Sequence, residues 1–362
     1  MHILIAFAFV LDVLVFIHEL GHYLAAKWRG IKVDTFSIGF GPKLWTWHDR
    51  TGTAWCISAI PLGGYVKPHG FEGPEDATPA QQAAWEKGRT FHEKGVGSRA
   101  LVIVMGPLFN FLLAFILYVA LFSFFGQPKL SDRIAQILPD SAASRAGVKT
   151  GDVITAIGGL KMLNVGDVRA EASKRAGEVT TLQVRREGQI LTLPITIGRD
   201  PAAKDTAHAG MMGVSFKLQP GAPLSLKDAV VTGAQQVWDV TVQTLQGVGQ
   251  MLTGQRSSRE LGGAIRIAQL SGEVAHLGVA SLLNFMAVLS INLGLINLFP
   301  IPILDGGRLV FYAFEAVLRR PVPRKLQEMA YYVGFALIAA LFLFSTFNDL
   351  LNIGLFRWLR GA

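Results

Sequence analysis

Cysteine is almost missing from this chain. Cys56 is the single one in 362 residues. That excludes an intrachain disulfide and a cysteine-built metal cluster, and leaves Cys56 as a small apolar filler. Charge is also scarce. Asp, Glu, Lys and Arg make up 17% of the residues, where a soluble domain carries about 25%. Acids are the rarer sign, 26 against 34 bases, for a formal net charge of +8. A basic excess can serve nucleic acid. In a chain that is 51% hydrophobic with mean hydropathy +0.38, it fits basic loops beside membrane spans better. The expected partner is a lipid bilayer, and no nucleic acid is expected.

Four stretches reach the roughly 20 apolar residues that a spanning helix needs. They run from about Ile3 to Ala26, Ala100 to Phe125, Leu282 to Phe299 and Tyr331 to Leu351. The first lacks a basic leader and a small-residue cleavage site, and ends in Lys27 and Arg29; it reads as a retained anchor. Lys27, Arg29, Lys32, Lys94 and Arg99 flank the loop between spans one and two. Arg308, Arg319, Arg320, Arg324 and Lys325 lie between spans three and four. Both loops are expected to be cytoplasmic, which puts both termini and the 126–280 segment outside. Arg357 and Arg360 count weakly against this orientation.

The first span carries the chemistry. "FIHELGHYLAAK" puts His18, Glu19 and His22 inside an apolar run. Ionisable residues in a span are costly and point to function. On a helix His18 and His22 share one face and can hold one Zn²⁺, with Glu19 beside them as a base. The five-residue pattern alone also occurs by chance, and polar groups satisfied by a neighbouring helix are the plain alternative. A catalytic zinc usually has a third protein ligand. Asp305 in "NLFPIPILDGG" is the best candidate, on a segment that Pro300 and Pro302 keep from being helical. An ordinary loop carboxylate is the other reading.

Between spans two and three, "RIAQIL" and "TTLQVRREGQILTLPITI" alternate like strands, and Glu187-Gly188-Gln189 marks a hairpin turn. "DSAASRAG" reads as a capped short helix ending at Gly147. With "GVKTGDVITAIGG", the stretch from Ile134 to Ile197 resembles a PDZ domain of the bacterial, circularly permuted type. Such a fold implies a peptide ligand taken by strand addition; a plain β spacer or steric filter is the alternative. Val230, Ala234, Val237, Thr241, Leu245, Val248 and Leu252 mark the apolar face of a helix over 224–252.

Taken together, the motifs resemble the site-2 protease family, in its bacterial regulator of sigma-E protease branch. HELGH and the "LDG" at Leu304–Gly306 match its two zinc motifs, and "NLFPIPILDGG" its third-span motif. "FSIGFGP" (Phe36–Pro42), "IPLGGYVK" (Ile60–Lys67) and "MGPLFN" (Met105–Asn110) match three further ones. The resemblance implies zinc on His18, His22 and Asp305, with Glu19 as general base. It implies that Asn297 organises the site or polarises the substrate carbonyl. It also implies a zinc endopeptidase of the bacterial inner membrane, with its active site toward the cytoplasm and its PDZ-like domain in the periplasm. The implied substrates are single-span membrane proteins already cut once by another protease, typically an anti-sigma factor, and sometimes remnant signal peptides. Two departures stand out: one clear PDZ-like domain where some members have two, and Ala264 where proline is frequent.

The expected fold is a multi-pass α-helical membrane protein with four transmembrane helices. A membrane-associated β-hairpin region and an inserted extracytoplasmic PDZ-like α+β domain complete it. The expected boundaries are a first span over 1–27, a cytoplasmic-side β region and amphipathic segment over 28–99, and a second span over 100–126. A PDZ-like domain over 127–200 and a linker with amphipathic helices over 201–280 follow. Last come a third span with the LDG motif over 281–307, a cytoplasmic loop over 308–327, and a fourth span with a tail over 328–362. Hydrolysis needs an extended substrate, so an open β edge beside HELGH would serve it. Phe36, Ser37, Ile38, Gly39, Phe40 and Gly41, with Pro300 and Pro302, are the expected substrate-binding residues. Asp12, seven residues before Glu19 on the same helix face, could support a water path to the site; facing a polar groove or pairing near the outer leaflet is the plainer reading. His2, His48, His69, His92, His208 and His276 are expected to be ordinary exposed side chains. Asn110 could face the active-site groove or make a packing hydrogen bond.

Overall fold

A computed structural model describes residues 2–199, 209–219, 221–255 and 262–352. His208, Leu261, Arg357 and Arg360 lie outside the described residues, and so does the side chain of His2. Two compact units emerge, one from 1–124 with 225–362, the other from 125–224.

The first unit begins with α1 (His2–Trp28), β1 (Val33–His48), β2 (Ala54–Pro68), α2 (Pro79–Ala83) and α3 (Val96–Phe125). β1 and β2 are long, and each bends back on itself. Val33–Ile38 pairs with Gly64–Pro68 on one side and with Ala54–Ile57 on the other. Lys43–His48 pairs with Ala54–Ser58. Residues 35–38 and 54–57 are therefore the interior of the sheet, and 64–68 and 43–48 are its margins. The sheet is fastened to the end of α1 at a polar hub. Asp49 accepts hydrogen bonds from Tyr23 Oη at 2.7 Å, Trp55 Nε1 at 3.2 Å and the backbone N–H groups of Thr51 and Thr53. Burial alone would raise the Asp49 carboxyl; these donors outweigh it and hold it well below the usual carboxylate range.

The second unit holds β3 (Lys129–Ile137), α4 (Ala142–Arg145), β4 (Val153–Ile157), β5 (Leu160–Lys161) and α5 (Val165–Ser173). β6 (Val179–Arg186), β7 (Gln189–Thr196), β8 (Gly198–Arg199), β9 (Gly210–Met211) and β10 (Val214–Gln219) follow. Its main sheet runs β10-β3-β4-β6-β7. Ser141 caps α4, and Glu187-Gly188 closes β6 onto β7. Ile134, Ile157, Leu182, Ile195 and Ile197 form its core. The expected limit at residue 200 is too early. β10 pairs with β3, so the sheet is incomplete without residues that sequence alternation alone left in a linker.

The first unit resumes with α6 (Leu226–Leu252), α7 (Ala264–His276), α8 (Val279–Leu298), α9 (Asp305–Leu318) and α10 (Arg324–Asn352). α1, α3, α8 and α10 are long and apolar enough to cross a membrane. Asp349 of α10 accepts the Gly263 and Arg266 N–H groups and so caps α7. The α6 face differs from expectation. Ala229 and Gly233 are buried, whereas Val230 and Leu245 are 40% and 45% exposed. The packed face is turned by about one residue, because small residues let α6 approach Val119 of α3. The third span also differs. α8 stops at Leu298, and 308–318, expected as loop, belongs to a separate helix that starts at Asp305. Pro300 and Pro302 cannot donate to a continuing helix, and Ile301 and Leu304 N–H groups close tight turns onto Phe299 and Ile301 instead.

Candidate metal centre

Two helix ends and one helix middle build the site. Gly306 and Gly307 allow α9 to fold back on the end of α8. A Cβ at Gly306 would lie 2.3 Å from the Leu298 carbonyl oxygen, and one at Gly307 2.3 Å from that of Ile301. This return places Asp305, the first residue of α9, against α1. Asp305 Oδ2 is 3.1 Å from His18 Nε2 and 3.4 Å from His22 Nε2, and the two Nε2 atoms are 3.1 Å apart. It is the one such cluster of three metal-ligating side chains among the described residues.

The triangle fits a metal ion. Bonds of 2.0–2.1 Å to tetrahedral zinc put neighbouring donors about 3.3 Å apart. With both Nε2 atoms unprotonated, three lone pairs at this spacing would repel one another, and a cation between them would remove that repulsion. Asp305 Oδ2 is buried and has no hydrogen-bond donor other than these imidazoles.

The surroundings orient the imidazoles. His22 Nδ1 donates to the Val102 carbonyl at 2.8 Å, leaving Nε2 for the triangle. His18 Nδ1 meets the Asn110 carboxamide at 3.1 Å. Asn110 Nδ2 is the atom placed there; were His18 to ligate through Nε2, its Nδ1 would carry the proton and the carboxamide, turned over, would present its oxygen instead. That orientation also gives a donor to an Asn110 oxygen otherwise buried without one. Gly106 makes room for both rings. A Cβ there would sit 2.3 Å from His22 Nε2 and 2.9 Å from His18 Nε2. The sequence reading left Asn110 open and gave Gly106 no role. Their signal was the "MGPLFN" run, whose meaning depends on the facing helix.

Glu19 is fixed from the sheet. Val66 N–H donates to Glu19 Oε2 at 2.9 Å, and Gly63 N–H reaches Asp12. Seven helical residues rise about 10.5 Å, and three strand residues about 10 Å. The two spacings match, so α1 holds the 63–66 stretch alongside itself through both carboxylates.

The donors open onto a cavity of about 320 Å³. Glu19, Asn297, Tyr65, Val66 and Arg308 also line it. Phe36, Ser37, Ile38, Gly39, Phe40 and Gly41 do not. Phe36 and Ser37 are fully buried, and the strand containing them is flanked on both sides. That ground removes Phe36 and Ser37 from direct contact with substrate; Phe40 is 45% exposed and lies away from this cavity, whose β margin is 64–68. Pro300 and Pro302 are likewise absent from its lining and shape the α8–α9 turn instead. His69 is not an ordinary exposed histidine either. It is buried, its Nδ1 pairs with Asp34 at 2.8 Å, and its Nε2 accepts the Glu86 N–H.

Comparison with known proteins agrees with this chemistry. Residues 6–341 match the family model "Peptidase family M50". A protein of Rhizobium meliloti named "Putative zinc metalloprotease R01501" is 42% identical over 373 residues, spanning 98% of this chain and 96% of its own. "Metalloprotease MmpA" of Caulobacter vibrioides is 33% identical over 393 residues, spanning 99% and 98%. Among solved structures, the PDZ domain of an SdrC-like protein from Listeria monocytogenes aligns with 24% of this chain and 88% of its own. Its identity of 16% and TM-score of 0.20 carry no argument. With a family model across nearly its whole length and relatives matched end to end, the chain belongs to peptidase family M50 and is a zinc-dependent metalloprotease of the membrane.

Proposed function

We propose that His18, His22 and Asp305 hold the zinc and that Glu19 is the general base of an intramembrane endopeptidase. The closed donor triangle, with its two histidines on an apolar helix long enough to cross a membrane, carries this reading. Zinc bound there lowers the pKa of a water toward neutrality and polarises the scissile carbonyl. Glu19, with Oε2 held by Val66 N–H, takes the water proton on its other oxygen and returns it to the leaving amine. Asn297 lines the same cavity, which supports a role in steadying the carbonyl oxygen.

The substrate is a single-span membrane protein, cut within or near its span after a first cut elsewhere; an anti-sigma factor is the leading class and remnant signal peptides a second. Its segment must leave the helical state to be cut. The 64–68 margin supports a strand-like substrate pose, because Tyr65, Val66 and Pro68 line the donor cavity and an extended segment laid along them meets the donors. The basic loops support an inner-membrane orientation with the active site toward the cytoplasm and the 125–224 unit in the periplasm. That unit is read as PDZ-like. β10 is a sheet margin, so a peptide can add there; a size filter is the rival role, tested by adding terminal peptides to a cleavage assay.

The direct test compares wild type and Glu19→Gln on a trimmed and an untrimmed single-span substrate, with zinc measured. Zinc retained with cleavage abolished is the expected result. Equal cleavage by both enzymes overturns the mechanism.

A further inference from the structure

Arg308 has no task in the scheme above, yet it stands beside the donors. It follows Asp305 by one turn of α9, is half-buried and lines the donor cavity. It also lines a neighbouring cleft of about 570 Å³ between the 71–76 segment and α9 and α10. Its guanidinium carbon sits 4.4 Å from the Phe71 ring centroid, and Phe71 borders both spaces. The other arginines of the cleft have carboxylate partners: Arg99 pairs with Glu315, and Arg324 with Asp76 and Glu328. Arg308 has none among the described residues. A guanidinium does not deprotonate, so a half-buried cation, resting on the Phe71 ring and without a directly paired carboxylate among the described residues, borders the donor cavity.

We propose that Arg308 binds the carboxylate that hydrolysis creates at the new C-terminus of the product. Water oxygen joins the carbonyl carbon, the C–N bond breaks, and both water protons go to the amine, which departs as an ammonium and leaves a carboxylate. A neutral amide thereby becomes an anion at a site already holding the carboxylates of Glu19 and Asp305. Arg308 offsets that repulsion, and its planar fork matches a carboxylate. Its place at the junction of cavity and cleft gives the acidic end a route away from the donors. This inference rests on the peptidase reading.

The test uses the full zinc-loaded chain in detergent. Inhibition of cleavage is measured for a short apolar peptide ending in a free carboxylate and for the same peptide ending in an amide. Zinc itself favours the acid in every variant, so the change in acid-to-amide preference between enzymes isolates Arg308. The expected result is that Arg308→Gln lowers this preference about tenfold with zinc content intact, and that Arg308→Lys lowers it less. The same preference in wild type and Arg308→Gln overturns the proposal, as does wild type that does not distinguish the two peptides. If Arg308→Gln loses zinc, Arg308→Lys decides: a preference equal to wild type overturns it, and a reduced one supports it. Wild-type cleavage and zinc content report separately on the peptidase reading.

Discussion

Asp305 and Asp152 are both carboxylates withdrawn from water, with side chains 16% and 1% exposed. Their partners differ. Asp152 of the 125–224 unit accepts from Arg186 Nε and a second guanidinium nitrogen, both at 2.8 Å, and from the Lys149 N–H. Its oxygens are satisfied by cations and amides that stay in place. Asp305 Oδ2 instead faces two imidazole nitrogens of a group of three side chains that could hold a metal ion. A buried acid with a full set of donors holds a fold together; one that faces other lone pairs waits for a cation.

The largest effect follows from breaking the unsatisfied member. Asp305→Ala removes a ligand, and activity should fall about a thousandfold or more with zinc lost; activity and metal content check this. Gly106→Ala attacks the same site from the facing helix. Its Cβ would overlap the His22 ring, so zinc occupancy should drop sharply in a helix bundle whose circular dichroism is unchanged. Asn110→Ala is milder. It leaves the ligands but frees the His18 ring, and zinc affinity should fall about 10- to 100-fold by chelator competition, with Asn110→Gln restoring part.

The satisfied member predicts a stability effect and no metal effect. Asp152→Asn should reduce amide-exchange protection in 125–224 about tenfold while zinc content stays at wild type. The pH dependence has a definite sign. Burial alone would raise the Asp152 carboxyl, but Arg186 and the Lys149 N–H outweigh it and hold it below its ordinary value of 3.8. The unit is therefore stabilised by this group above about pH 4, and the contribution is lost as pH falls through the lowered value. Exchange protection measured through acid titration should show that loss in wild type and not in Asp152→Asn. Smallest of all, Glu328→Gln breaks only an exposed pair with Arg324 and should be indistinguishable from wild type in thermal stability.

What the sequence made legible is what it encodes locally. HELGH is a four-residue helical spacing, so His18 and His22 converge wherever α1 goes. Asp305 was nominated by neighbouring prolines and glycines, which act within a few residues of it. Gly306 and Gly307 proved to be the means of bringing it back. Strand order was not legible. Phe36–Gly41 and Tyr65–Lys67 both look like Gly-punctuated β runs, and only the pairing of 35–38 on both sides decides which is interior. Gly106 escaped, and Asn110 stayed open between two readings, for a related reason, since each acts on a residue of another element. β10 was passed over because its partner β3 lies some 80 residues earlier in the chain.

The central claim is that two imidazoles of α1 and one carboxylate of α9 close around a single zinc. Zinc-edge X-ray absorption on the full-length protein tests it most directly. The account predicts one zinc per chain with two imidazole nitrogens and oxygen donors at about 2.0–2.1 Å, and a spectrum altered by Asp305→Asn. A zinc site with one or no imidazole, or a spectrum that Asp305→Asn leaves unchanged, contradicts it.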